Sequence, residues 1–274
     1  MSQDLEHVET VDAVCKDHGP YRSEVFGQGI AMVKESCPKC LAEFQSKKVN
    51  AEAQETERRW RDRVARLTKS SEIPARFRDA SLDTYQAKSK AQTRALQTAR
   101  RFAANFAEIA KRGSFLTLVG SLGTGKTFLA CAIGNALLAK GYGVLYVTAY
   151  KLLREIKRSW ARNAEMDEKA VMARYTGGCD LLILDEIGVQ YGTDAERVLL
   201  FQVIDDRYSE LLPTVLVSNL DREGLANVLG ERAFDRLAEY GSAIVAFEWE
   251  SFRPQHCCSL QMDASFESET KDET

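Results

Sequence analysis

The run Phe115-Leu-Thr-Leu-Val119 leads straight into Gly120-Ser121-Leu122-Gly123-Thr124-Gly125-Lys126-Thr127, and FLACAIGNALLAK follows from Phe128. No other stretch constrains the chain as tightly. It is G-x-x-x-x-G-K-[ST] between an apolar, strand-prone run and a helix-forming run, the context a phosphate-cradling loop requires. The three glycines let the backbone turn sharply and aim its N–H groups at phosphate oxygens. The helix that follows adds the positive end of its dipole. Lys126 is spaced to reach the β- and γ-phosphates, and the Thr127 hydroxyl to ligate Mg2+. The expectation is that Gly120 to Phe128 bind ATP or ADP.

A second run, Leu181-Leu-Ile-Leu, ends in Asp185-Glu186, 58 residues after Thr127. An apolar strand ending in two acids puts them at the carboxyl edge of a parallel sheet, where such sheets bind ligands. Asp185 is then expected to help hold Mg2+, and Glu186 to orient or deprotonate the attacking water. A third run, Thr214-Val-Leu-Val-Ser218, ends at Asn219. Taken alone, Ser-Asn after a strand reads as a turn; behind the other two motifs, Asn219 is expected beside the terminal phosphate.

With Val144–Thr148 and Ala243–Phe247 these runs make five near-continuous apolar strands. Helix-length segments, 127–140, 150–162 and 195–211, alternate with them. Strands without polar alternation are buried on both faces. The reading is an α/β fold, a five-stranded parallel sheet flanked by helices, over residues 76–258. Residues 46–75 lack glycine and, until Pro74, proline, and read as a charged helical connector or partner-binding arm. The tail 259–274 is acidic and poor in apolar residues, the composition of a disordered segment.

The net charge is −3, which excludes a protein that is basic throughout. Yet residues 45–112 carry 17 Lys and Arg against 8 Asp and Glu, so a local contact with phosphates or with an acidic partner stays open beside plain solvation. No run of 18 apolar residues suggests a membrane span, and the acidic start MSQDLEHVETVDAV lacks the pattern of a secretion signal. The expected setting is cytoplasmic, with reduced thiols. Three of those thiols and one histidine fall in two close pairs, Cys15-x-x-His18 and Cys37-x-x-Cys40, with 18 residues between them. Three thiolates and an imidazole on two tight turns form a closed tetrahedral set for Zn2+, expected to order a module over residues 1–45 that is too short to build its own core. Cys131, Cys179, Cys257 and Cys258 have no such partners in the sequence.

The order of phosphate loop, DE-ended strand and polar strand tip resembles the AAA+ P-loop ATPases. LLILDEIGVQ (181–190), with LGERAFDRL (229–237) and FEWESFR (247–253) downstream, resembles the DnaC-type bacterial and phage replicative helicase loaders over about residues 75–255. The resemblance implies a Mg2+-dependent ATPase that places a DnaB-type replicative DNA helicase on single-stranded DNA. It implies self-association through the ATP sites, with Arg236 as an arginine finger toward a neighbouring subunit and Arg253 reaching the terminal phosphate of its own. From the residues alone, Arg232 and Arg236 are two basic residues at i,i+4 on one helix face, and surface pairing with Glu231 or Asp235 is the safer reading. The resemblance also points to the basic segment 151–162 (Lys151, Arg154, Lys157, Arg158, Arg162, with Trp160) as a contact for single-stranded DNA. The short stretch after Phe247 matches an abbreviated lid. The zinc module departs from the enterobacterial loader; a helicase-docking tip is the first reading for it and a nucleic-acid knuckle the second. Rival readings are an IstB-like transposition helper and a nucleotide-dependent adaptor that does not hydrolyse.

Overall fold

The apolar runs become strands whose residues alternate between two cores, the edge run Ala243–Phe247 being partly open, with Ala246 exposed. The computed structural model describes residues 6–28, 31–34, 36–188, 193–239 and 241–252. The chain divides into two units, residues 1–63 and 64–274.

In the larger unit the strands are β4 (Phe115–Gly120), β5 (Val144–Thr148), β6 (Leu181–Ile187), β7 (Thr214–Ser218) and β8 (Ala243–Phe247). They form one parallel sheet in the order β5-β6-β7-β4-β8, with Thr148 opposite Asp185, Leu184 opposite Leu216 and Gly120 opposite Phe247. The expected five-stranded parallel sheet is therefore what forms. Its order places the tip of β7 between the tips of β4 and β6, which brings three motifs distant in sequence to one edge.

Leu116, Leu118, Tyr146, Ile183, Val215 and Val217 face α2 (Lys90–Ala104) and α4 (Lys126–Ala139). Phe115, Val119, Leu145, Leu182, Leu184 and Leu216 face α5 (Ala149–Ser159), α6 (Glu168–Thr176), α7 (Asp194–Ser209), α8 (Arg222–Leu229) and α9 (Glu231–Leu237). A short helix α3 (Phe106–Arg112) leads into β4 and ends at Gly113, whose left-handed φ of 64° closes the turn. The helix starts carry their own signals. Ser89 with Gln92, and Thr193 with Glu196, make capping boxes, while Asp167 and Asp221 accept from the first turns of α6 and α8.

The smaller unit holds a three-stranded antiparallel sheet of β1 (Glu6–Cys15), β2 (Gly19–Gln28) and β3 (Ala31–Lys34), followed by α1 (Pro38–Ser70), which runs on into the larger unit. The β1–β2 turn closes at Gly19, at a φ of 76°. The helix begins at Pro38 rather than near residue 46, because Pro38 suits a first helical turn, which needs no N–H there. No residue of α1 is buried; its surface carries pairs such as Glu55–Arg59 and Glu57–Arg61. Such exposed pairs contribute little, since solvent and salt screen them. No helix among the described residues is long and apolar enough to cross a membrane.

Candidate functional site

The loop after β4 is shaped by glycines at positive φ. Gly120 has a φ of 120°, and a Cβ there would lie 2.5 Å from the Phe247 carbonyl oxygen on β8. Gly125, at a φ of 93°, starts α4, and its missing Cβ would press against the Tyr85 ring at 3.2 Å. Lys126 is folded into this cradle: its Nζ donates to the carbonyls of Gly120 and Ser121, both at 2.6 Å. Burial pulls its ammonium below the ordinary lysine value, with the charge of Asp185 opposing. Leu122 stands out at the loop's exposed crest.

Asp185 meets the loop from β6. It is 3% exposed, and Thr127 Oγ1 donates to its Oδ2 at 2.9 Å. The same oxygen accepts from the Tyr146 hydroxyl at 2.7 Å, and Oδ1 accepts the Glu186 N–H at 2.7 Å. Burial, then the Asp185 charge, keeps the Tyr146 phenol protonated as a donor. Glu186 has a left-handed φ of 59°, a conformation that costs a non-glycine residue about 1–2 kcal/mol. That backbone turns its side chain outward into solvent, and burial plus the Asp185 charge still pushes its carboxyl above the ordinary glutamate range. A hydroxyl and a carboxylate 2.9 Å apart are the hard oxygen donors that suit Mg2+ beside a triphosphate.

The tip of β7 completes the edge. Ser218 Oγ donates to the Ile187 carbonyl at 2.7 Å, and the Gly120 N–H donates to the Leu220 carbonyl at 2.8 Å, tying β7 to both neighbours. Between these bonds Asn219 carries a buried Oδ1 that accepts no hydrogen bond among the described residues.

Two further segments strap the loop. Trp249 Nε1 donates to the Thr124 carbonyl at 3.0 Å, and the Phe252 N–H to the Gly123 carbonyl at 2.9 Å. The rings of Phe128 and Phe252 each lie 6.1 Å from that of Tyr85, whose buried hydroxyl has no partner among the described residues. Reading motifs alone missed Tyr85, Tyr146, Trp249 and Phe252. The one available signal was Tyr146, the single side chain with a polar tip inside an otherwise apolar Val-Leu-Tyr-Val.

Arg236 stands apart from this edge. On α9, it pairs with Asp205 of α7 and lies over the Phe201 and Tyr208 rings, at 5.5 and 4.8 Å from their centroids. Its neighbour Arg232 is exposed. Arg253 lies outside the described residues.

The basic helix divides by partner. Lys151 pairs with Glu72 at 2.5 Å, and Lys157 with Glu196 at 2.7 Å, so both have an acidic partner on the protein itself. Arg154, Arg158 and Arg162 are exposed, with Arg154 over the Tyr150 ring at 5.7 Å. Trp160 is 54% exposed rather than core, its Nε1 donating to Glu168. The helix itself ends at Ser159, leaving Arg162 beyond it.

In the smaller unit, Cys15, His18, Cys37 and Cys40 bring one ligand atom each within 4.8 Å of one another. His18 Nδ1 lies 3.7, 3.8 and 3.3 Å from the sulfurs of Cys15, Cys37 and Cys40. A tetrahedral ion with Zn–S near 2.3 Å spaces its ligands by about 3.5–3.8 Å, so these four fit zinc. His18 Nε2 meets Glu43 at 2.8 Å, which leaves Nδ1 as the atom facing the sulfurs. The backbone N–H groups of Asp17 and His18 bring the Cys15 thiol down to about 6, while the bond to Cys15 pushes Cys40 up to about 12.

Residues 42–259 match the family of IstB-like ATP-binding proteins. The replicative helicase loader DnaC of Buchnera aphidicola subsp. Schizaphis graminum is 35% identical over 191 residues, covering 70% of this chain and 76% of that protein. The DnaC loader of Escherichia coli K12 is 33% identical over 193 residues, with the same shares. A crystal structure of the DnaC helicase loader superimposes with a TM-score of 0.56 at 30% identity, over 63% of this chain and 99% of that one. On this match over residues 42–259 and on these identities, the chain belongs to the IstB-like ATP-binding family, in the company of the DnaC-type replicative helicase loaders.

Proposed function

We propose that this protein is an ATP-dependent loader of a replicative DNA helicase of the DnaB type onto single-stranded DNA, with hydrolysis at subunit interfaces releasing the helicase. The convergence of Lys126, Thr127, Asp185, Glu186 and Asn219 at one sheet edge supports the ATPase part of this reading, and the 33–35% identity to DnaC loaders supports the helicase part. Backbone amides from Gly120 to Thr127 and the Lys126 ammonium bind the phosphates of ATP, and the aromatic wall of Tyr85, Phe128 and Phe252 takes the nucleoside. Mg2+, held through Thr127 and Asp185, supplies charge neutralisation on the phosphates. Glu186 orients and deprotonates the attacking water. The open Oδ1 of Asn219 accepts a hydrogen bond from that water.

Arg236 acts as the finger toward a neighbouring subunit once its pairing with Asp205 opens, and Arg253 reaches the terminal phosphate in its own subunit; guanidinium groups suit both tasks. The exposed face of Tyr150, Arg154 and Arg158, with Trp160, meets single-stranded DNA by stacking and charge. The zinc-held module with α1 docks the helicase.

The test is a pull-down with the host replicative helicase, with and without ATP and single-stranded DNA. ATP-dependent capture is the expected result; no capture under any condition overturns the loader reading. Family membership at residues 42–259 also favours a second reading, a transposition helper of the IstB type. Capture of the cognate transposase instead of the helicase selects it.

A further inference from the structure

Asp185 is an acid at 3% exposure, and a buried carboxylate must be given donors. Three are present: the Glu186 N–H on Oδ1, and the hydroxyls of Thr127 and Tyr146 on Oδ2. They differ in kind. Thr127 belongs to the phosphate loop and is itself an expected magnesium ligand. Glu186 is the next residue in the chain. Tyr146 comes from β5, the edge strand, and is the donor that has no other task at the site.

The ring is held from several sides. The backbone N–H of Tyr146 donates to the Ser71 carbonyl at 2.7 Å, and β5 pairs in register with β6, with Tyr146 opposite Ile183 and Thr148 opposite Asp185. The ring packs in the core beneath α4, among Leu129, Cys131, Ile183 and Val144. A phenylalanine would fill the same volume without bringing a polar atom into an apolar strand. The hydroxyl is accounted for by its partner, the Asp185 carboxylate.

We infer that Tyr146 is a positioning residue that fixes the Asp185 carboxylate for magnesium while Thr127 engages the ion. The inference rests on the nucleotide-site reading above and adds to it a residue outside every motif. Hydrogen-bond partners of metal ligands set ligand orientation, and removing one lowers metal affinity about 10–100-fold.

The experiment uses full-length protein and a fluorescent adenine nucleotide, titrated with Mg2+ from an EDTA-containing start. For Tyr146→Phe, nucleotide affinity in EDTA is expected to stay within about twofold of wild type. The Mg2+ concentration at half-effect is expected to rise about tenfold or more. A general packing defect would weaken binding in EDTA as well, and that outcome overturns the inference, as does an unchanged Mg2+ midpoint. Lys126→Ala, which loses binding in both conditions, reports on the nucleotide site independently of Tyr146. Wild-type protein that takes up no nucleotide overturns the reading of the site, and this inference with it. If Tyr146→Phe does not fold, 3-fluorotyrosine at position 146 replaces it. Its 19F resonance is expected to move when Mg2+ joins bound ADP and not when ADP binds in EDTA; a resonance that Mg2+ leaves in place overturns the inference.

Discussion

Glu186 shows how a side chain's chemistry and its backbone can pull in opposite directions. It holds a left-handed φ of 59° and an exposed side chain next to the buried Asp185. Glu186→Gln keeps the shape and removes the base; ATP binding should persist while steady-state phosphate release falls about 100-fold or more. Glu186→Gly should also lose turnover, yet without a fall in melting temperature, because glycine tolerates that φ. A clear loss of stability in Glu186→Gly would show that the strained conformation is not stored at this position. Arg207 is a contrasting residue, fully buried and purely structural. It donates to Thr214 Oγ1 at 2.8 Å, to the Tyr175 carbonyl at 2.9 Å and to the Pro213 carbonyl at 2.6 Å, tying the end of α7 to β7 and α6. Arg207→Leu strands those acceptors, and denaturant unfolding should show a loss of at least about 3 kcal/mol.

Among the helices, α5 carries two jobs on two faces. Ala149, Leu152, Leu153 and Ile156 recur at helical spacing and bury one side, while Lys151 and Lys157 reach back to Glu72 and Glu196. Composition made the five basic residues look alike; ion pairing separates them, since Lys151 and Lys157 have carboxylate partners while Arg154 and Arg158 stay exposed and Arg162 lies past the end of the helix. Arg154→Glu with Arg158→Glu should weaken single-stranded DNA binding, measured by fluorescence anisotropy, with ATP binding unchanged. Lys151→Ala should act mainly on stability, because Glu72, itself at a left-handed φ of 57°, and Arg174 join the same network. The α5–α7 contact has a pH signature. The bond from Lys157, followed by the backbone N–H of Thr193, lowers the Glu196 carboxyl below its ordinary value. A depressed carboxyl stabilises the fold above the unfolded-state value, and that contribution is lost as pH falls through the lowered one. Thermal melts across that acid range should therefore lose less for Lys157→Met than for wild type.

In the full chain the two units should respond separately to metal removal. Purified protein is expected to hold about one zinc per chain by metal analysis, and Cys37→Ser to lose it. Chelation should melt the sheet of residues 6–34 while nucleotide binding by the larger unit persists; zinc content unaffected by Cys37→Ser would refute the assignment. The phosphate loop, the DE-ended strand, the two Cys/His pairs and the α/β sheet were all legible in the chain, because each is a local pattern whose spacing or periodicity has one physical use. The three strands of residues 6–34 were not, since a short sheet without a core of its own leaves a weak alternation. What needed three dimensions was everything set by proximity between distant segments. The strand order put Asn219 between the loop and the acids, and the register of β5 on β6 brought Tyr146 to Asp185. The packing of α9 on α7 paired Arg236 with Asp205. Motifs survive in sequence because they are contiguous; a hydroxyl 39 residues from its carboxylate has no spacing to betray it, and only the folded sheet brings the two within 2.7 Å.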